Sequence, residues 1–273
     1  MDRLADFRTA YAQMVVARGG RPHDERLLRV FGTVERHHFL GTGPWIVSED
    51  GTVTGSDDPA LVYQDVGIGL APGVPTGLPS LHAALLGAAD VEPGEIVMHV
   101  GAGSGYYSAI LAELVGSGGR VYAYEINEAL AARARSNVAG YPWLTVETRS
   151  GVCPPPEVVD LVYVNAGVQQ VPVAWLEALS HHGRLLFPLV PGDGEGAVFR
   201  VTREPQGYSA AFVSRARFVP CIGTQDDEAQ RRLAAAFRST ECEAVRSLRL
   251  RPDPPDGTAW FVGDGWWLST AAR

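Results

Sequence analysis

Apolar positions along the chain change period in a regular way. Leu4, Phe7, Tyr11, Met14 and Val15 recur at helical spacing and predict a helix over 6–18, closed by Gly19-Gly20. A second helix is predicted over 24–34. Trp45-Ile46-Val47 and Thr52-Val53-Thr54 flank Glu49-Asp50-Gly51 and predict a hairpin within 44–60. Residues 61–79 are rich in Gly and Pro and read as irregular, until Pro79 opens a helix over 80–89. Strand-like and helical stretches then alternate: strand 96–100, helix 106–116, strand 120–125, helix 127–138 and strand 143–148. Strand 160–165, helix 171–181 and strand 184–188 continue the series, and 197–203 with 210–217 read as an antiparallel edge pair. Beyond residue 219 the pattern predicts a helix over 226–238, a strand over 244–250, and a hairpin around Gly263-Asp264-Gly265. The expected organisation is N-terminal helices and a substrate-side cap (1–80), a doubly wound α/β core (81–218) and a small α+β appendage (219–273).

One stretch of this pattern carries chemistry. Val97-Met98-His99-Val100 runs into Gly101-Ala102-Gly103-Ser104-Gly105-Tyr106, then into the 106–116 helix and a second strand that ends at Glu125. A strand, glycine turn, helix and strand with an acid at the tip is the layout of a nucleotide or nucleoside site. Glycines suit the sharp turn and let a ligand approach the backbone. The helix N-terminus favours an anionic group, and Glu125, 20 positions after Gly105, suits ribose hydroxyls. A dinucleotide fingerprint needs G-x-G-x-x-G, and Tyr106 stands at its third glycine. The G-x-G-x-G spacing favours S-adenosylmethionine, which has no pyrophosphate to cradle. A nicotinamide oxidoreductase is disfavoured.

Composition narrows the class without naming a reaction. The 273 residues, 46% hydrophobic and 20% charged, suffice for a large core, and the net charge of −8 disfavours nucleic acid as a partner. Cys153, Cys221 and Cys242 are scattered and read as reduced thiols. Met1-Asp2-Arg3-Leu4 does not begin a signal peptide, and no apolar run reaches bilayer length, so a cytoplasmic protein without membrane partners is expected. No His/Cys/Asp set has zinc spacing, and no metal is expected. Neither a P-loop nor a G-x-S-x-G motif occurs.

Several segments together resemble the protein-L-isoaspartyl O-methyltransferase family. They are Val34-Glu35-Arg36-His37-His38-Phe39-Leu40, Val62-Tyr63-Gln64-Asp65, Val97 to Ala112, Val121 to Glu125, and the block Val171-Pro172, Trp175-Leu176 and Gly183-Arg184-Leu185-Leu186-Phe187-Pro188. The likeness spans roughly residues 25–203. It implies a seven-stranded Rossmann-like methyltransferase sheet, S-adenosyl-L-methionine as donor, and a carboxylate acceptor on a peptide or small metabolite. A carboxylate is ionised at neutral pH and needs no general base, so catalysis is mainly alignment. The implied cofactor contacts are His99, Gly101, Ala102, Gly103, Gly105, Tyr106, Glu125, Ile126, Ser150 and Gly151.

The chain departs from that family at three places. The family's Thr-Ile-Ser-Gln-Pro segment is Pro75-Thr76-Gly77-Leu78-Pro79 here, so its serine position is Gly77. His99 stands where an acid is usual, and Arg149-Ser150-Gly151 replaces a Gly-Asp-Gly. These departures favour O-methylation of a different carboxylate over isoaspartyl repair. Repair itself and a non-catalytic binding protein remain alternatives, and the oligomeric state is open. Thr76, His82 and Asn165 are the catalytic candidates. The tandem His37-His38 is a further base or substrate contact to weigh, and His181-His182 read as a helix end suited to cations.

Overall fold

Local signals place most elements where the apolar pattern asks for them. The computed structural model describes residues 3–49, 52–192, 194–239 and 241–273. In chain order its elements are α1 (Arg3–Arg18), α2 (Glu25–Thr33), a 3-10 turn (Arg36–Phe39), β1 (Trp45–Glu49), β2 (Thr52–Ser56), α3 (Pro59–Val62), β3 (Gly67–Ala71) and β4 (Val74–Pro75). There follow α4 (Pro79–Ala89), β5 (Ile96–Val100), α5 (Tyr106–Val115), β6 (Arg120–Glu125), α6 (Glu128–Asn137), β7 (Leu144–Thr148) and β8 (Val159–Val164). The remainder is α7 (Val173–Glu177), β9 (Leu179–Leu189), β10 (Gly196–Glu204), β11 (Gly207–Ala216), α8 (Asp227–Ser239), a second 3-10 turn (Cys242–Ala244), β12 (Ser247–Leu250), β13 (Ala259–Val262) and β14 (Trp266–Ser269). The turn expected at Asp50-Gly51 lies outside the described residues.

The chain divides into two compact units, Met1–Gly94 with Ala102–Arg149, and Glu95–Gly101 with Ser150–Arg273. In the first, α1 packs on α2 and α4, burying Tyr11, Val15, Val16, Leu27, Val30 and Phe31. Asp24 caps α2 by accepting from Leu27 N at 3.1 Å, and Asn127 caps α6 by accepting from Leu130 N at 3.0 Å. β6 and β7 pair in parallel, with Tyr124 opposite Glu147. A small antiparallel sheet runs β2-β1-β3-β4.

β3 and β4 fall inside the segment expected to be irregular. Their glycines carry no strand signal; β1 and Arg36 supply the order. Arg36 is fully buried and reaches the chain on either side of β3. Its Nη1 donates to the Val62 and Gln64 carbonyls at 2.7 and 2.9 Å, and its Nη2 to Val66 O at 2.7 Å and Thr76 Oγ1 at 3.3 Å. The Tyr11 and Tyr106 rings lie 5.7 and 6.0 Å from the guanidinium carbon. Five planar donors let one side chain tie four acceptors together. Asp65 sits between these acceptors in sequence. Its Oδ1 accepts from Ser80 N at 2.9 Å and so caps α4.

In the second unit the strand order is β13-β14-β12-β11-β10-β9-β8-β5. β5, β8 and β9 are parallel, and the outer pairs are antiparallel. β12 pairs with β11 through Tyr208 and Leu248, so the C-terminal strands prolong this sheet at its edge. The helix expected over 171–181 is a correction. α7 stops at Glu177, and β9 begins at Leu179, paired with Val159 of β8. His181 and His182 therefore lie in a strand, and the helix-dipole reading of that pair does not apply. Among the described residues, no helix is long and apolar enough to cross a membrane.

Replacing Arg36 with Ala takes its guanidinium from three carbonyls, two of them on the buried residues Val62 and Val66, while Thr76 Oγ1 keeps Ile68 N and Gly77 O. Loss of at least about 3 kcal/mol of unfolding free energy is expected, from ~1–3 kcal/mol per unpaired group. Arg36→Lys recovers less than half, because one ammonium cannot span the four acceptors. Urea midpoints within experimental error of the parent for both variants would refute the clamp.

Candidate cofactor site

The glycine turn is built by backbone conformation. Gly101, Gly103 and Gly105 have φ of +83°, +58° and +94°, values that residues with a β-carbon avoid. In the first unit, a β-carbon at Gly105 would meet Val138 Cγ1 at 3.1 Å, and one at Gly103 would meet Leu70 Cδ1 at 3.2 Å. Arg133 Nη2 lies 3.4 Å from the Leu70 carbonyl and helps hold β3 there. The turn's amides are mostly spent on its own shape. Ala102 N donates to Tyr124 O at 3.0 Å, Gly105 N to Ala102 O at 2.9 Å, and Gly103 N to Glu125 Oε2 at 2.7 Å. These three amides are therefore taken before a ligand arrives. What the turn offers there is a close approach to backbone.

Glu125 is buried at the end of β6, with Oε1 accepting from Asn127 N at 2.9 Å and Oε2 from Gly103 N. Each oxygen keeps a second lone pair, so the carboxylate retains two acceptor sites for a vicinal diol. That is what a ribose needs, and the donor set fits the S-adenosylmethionine expected from the sequence. Ile126 follows, 45% exposed, as a large apolar surface beside that acid. Tyr106 begins α5, but its side chain turns into the helical core: its hydroxyl is 3.2 Å from that of Tyr11. It presents backbone, not phenol, at the turn.

Thr76 and His82 belong to the same unit. Thr76 Oγ1 accepts from Ile68 N at 3.1 Å and from Arg36, and donates to Gly77 O at 3.1 Å. Its one proton and both lone pairs are committed to the turn. His82 is fully buried on α4 and stacks on Tyr107, ring centroids 3.6 Å apart. Gly77 has φ +75°, and a β-carbon there would stand 2.8 Å from His82 Nε2. The two residues shape the 75–79 turn together. Arg36 and Asp65 fall in two of the segments that carry the family resemblance, but nothing in the sequence marks their part, or that of Leu70, in holding this region.

The second unit groups the remaining candidates. Asn165 follows β8, and its Nδ2 lies 3.4 Å from Gly101 O. A β-carbon at Gly151 would meet Val100 Cγ1 at 2.7 Å, so this position is closed to side chains. Trp175 Nε1 donates to Gly151 O at 3.1 Å, and Ser150 Oγ accepts from Val152 N at 3.2 Å. His99, completely buried on β5, has its ring edge-on to Tyr163 at 5.6 Å. Burial pushes its pKa down to about 3, so the imidazole is neutral at any working pH.

The sequence model of the protein-L-isoaspartate(D-aspartate) O-methyltransferase family matches residues 52–226 of the chain. The chain belongs to that family. It is 33% identical to the protein-L-isoaspartate O-methyltransferase of Ignicoccus hospitalis over 166 residues, 59% of this chain and 79% of that protein. It is 30% identical to the Roseiflexus sp. protein of the same name over 224 residues, 81% of this chain and 94% of that protein. Among solved structures, a protein-L-isoaspartate O-methyltransferase superposes with a TM-score of 0.67 at 18% identity, over 97% of this chain and 88% of that one. A putative family enzyme from Plasmodium falciparum, in complex with S-adenosyl-L-homocysteine, superposes at 0.64 and 18% identity, over 78% and 97%. The methyltransferase fold expected from the sequence is thus shown, and the chain is an S-adenosylmethionine-dependent methyltransferase of the isoaspartate family. The family match includes the glycine turn, Glu125 and Asn165, and leaves 227–273 outside.

The buried neutral imidazole of His99 links stability to pH. The unfolded chain protonates this histidine below about pH 6.5, whereas the folded chain does so only near 3. The unfolded state binds the extra proton, so stability falls as pH drops through that window, by up to about 1.4 kcal/mol per pH unit. His99→Gln is expected to lose less stability between pH 6.5 and 5 than the parent. Identical pH dependence of the denaturation midpoints would show that His99 does not contribute.

Proposed function

We propose that this methyltransferase esterifies a free carboxylate of a peptide acceptor, with isoaspartyl residues, whose α-carboxylate is the free one, as the acceptor class. The reading is carried by the match of the isoaspartate methyltransferase model through both the cofactor turn and the 75–79 turn. The cofactor, when bound, supplies an electrophilic methyl on a sulfonium. The chain's own residues bind and align. Glu125 accepts from the ribose hydroxyls. Gly101, Ala102, Gly103, Gly105 and the Tyr106 backbone allow close approach, and Ile126 covers an adenine face. His99, Ser150 and Gly151 complete the cofactor contacts assigned by resemblance.

On the acceptor side, an aspartyl-type carboxylate is ionised at neutral pH and attacks without a base. Alignment of the reacting pair is then the main catalytic task. The saturated hydroxyl of Thr76 and the buried ring of His82 suit positioning of the 75–79 turn, not proton transfer. Asn165 offers the one amide of the three candidates and is assigned to acceptor contact. A second reading, a carboxylate other than isoaspartate, is favoured by one observation. Gly77 supplies no hydroxyl where the resemblance puts a serine, and His82 closes the position to a side chain.

Two measurements test these readings. By calorimetry, Glu125→Ala and Gly103→Arg are each expected to weaken S-adenosylmethionine binding at least tenfold, since a charged hydrogen bond contributes roughly 1.5–3 kcal/mol. Unchanged binding in both variants sinks the cofactor assignment. An isoaspartyl peptide, a matched aspartyl peptide and small carboxylic acids are then compared by base-labile methanol release. Transfer to the isoaspartyl peptide is expected. Transfer only to another carboxylate selects the second reading, and transfer to none with cofactor binding intact overturns both.

A further inference from the structure

The 3-10 turn that carries Arg36 inward leaves its neighbours at the surface. Glu35, His37 and His38 each offer a ligand atom, and the three atoms lie within 4.8 Å of one another. Among the described residues this is the one such group of three His, Cys or acidic side chains. His38 Nδ1 is 3.2 Å from Glu35 Oε2, and the two imidazole centroids are 4.1 Å apart. The His37 ring is held from behind, its Nδ1 lying 2.6 Å from the Tyr63 hydroxyl.

We propose that Glu35, His37 and His38 bind one divalent transition-metal ion of the zinc class. The donor set is two imidazoles and a carboxylate, a combination that suits zinc and disfavours magnesium and calcium, which take oxygen ligands. Tyr63 plays the outer partner that such histidines usually have: with Nδ1–H given to the phenol, Nε2 keeps its lone pair for the ion. Arg8 holds the other Glu35 oxygen, Oε1, and leaves Oε2 toward the histidines. With Oε1 held by that guanidinium, Glu35 offers one oxygen to the ion. The remaining coordination positions open to water, because the His38 side chain is 63% exposed. The ion braces the 35–38 turn from outside, as Arg36 does from inside. This site is independent of the methyl-transfer reading.

Zinc binding is measured on the full chain without a polyhistidine tag, stripped with EDTA and titrated with ZnCl2 by calorimetry. One ion per chain is expected, with MgCl2 giving no heat of binding. His37→Ala and His38→Ala are each expected to weaken zinc at least tenfold, and Cys153→Ser to leave it unchanged. Zinc is also expected to raise the melting temperature of the parent but not of His38→Ala, a surface change that leaves the core intact. Absence of saturable zinc binding in the parent, or parent-like affinity and melting shift in both histidine variants, overturns the proposal.

Discussion

One buried guanidinium organises the first unit. Among the described residues the hydrogen-bond partners of Arg36 are the carbonyls of Val62, Gln64 and Val66 and the hydroxyl of Thr76, with no carboxylate. Taking a charge out of water is costly, and four hydrogen bonds from Nη1 and Nη2 offset that cost while Nε makes none among the described residues. The acceptors come from a segment with little strand propensity, so the cost of burying the cation and the order of that segment are two sides of one interaction. From it follow the path of β3, the position of Asp65 under α4, and the turn that brings Thr76 beside Gly77.

The glycine turn obeys a second constraint of the same kind. The Gly105 amide is satisfied within the loop by Ala102 O, and those of Ala102 and Gly103 by Tyr124 O and the Glu125 carboxylate at the end of β6. The acid thus holds the loop in shape before any ribose arrives. A ligand meeting this loop finds a rigid surface, and little of its binding energy goes into ordering the protein.

Much of this was legible in the residue order. The strand–glycine–helix–strand–acid unit at 96–125 is announced by period and by residue type, and its elements fall within a residue or so of their expected ends. Helix 171–181 was misread because its apolar residues continue smoothly into a strand. Pairing with β8, a long-range contact, decides that boundary. β3 and β4 were illegible for a similar reason: Arg36, some thirty residues earlier, supplies their order. The catalytic candidates suffered most. Their residue types suggest chemistry, whereas the structure commits the Thr76 hydroxyl to its own turn and packs the His82 imidazole against Tyr107.

The contact between Gly77 and His82 bears on how this chain's sequence can change. A side chain at 77 meets the ring nitrogen at 2.8 Å and also a left-handed backbone, so no single substitution there is neutral. The ring in turn is packed flat on Tyr107, and shrinking it first opens a cavity in a closed core. Each residue therefore makes the other's replacement harder. A side chain at 77 is thus accommodated only through paired changes at 77 and 82.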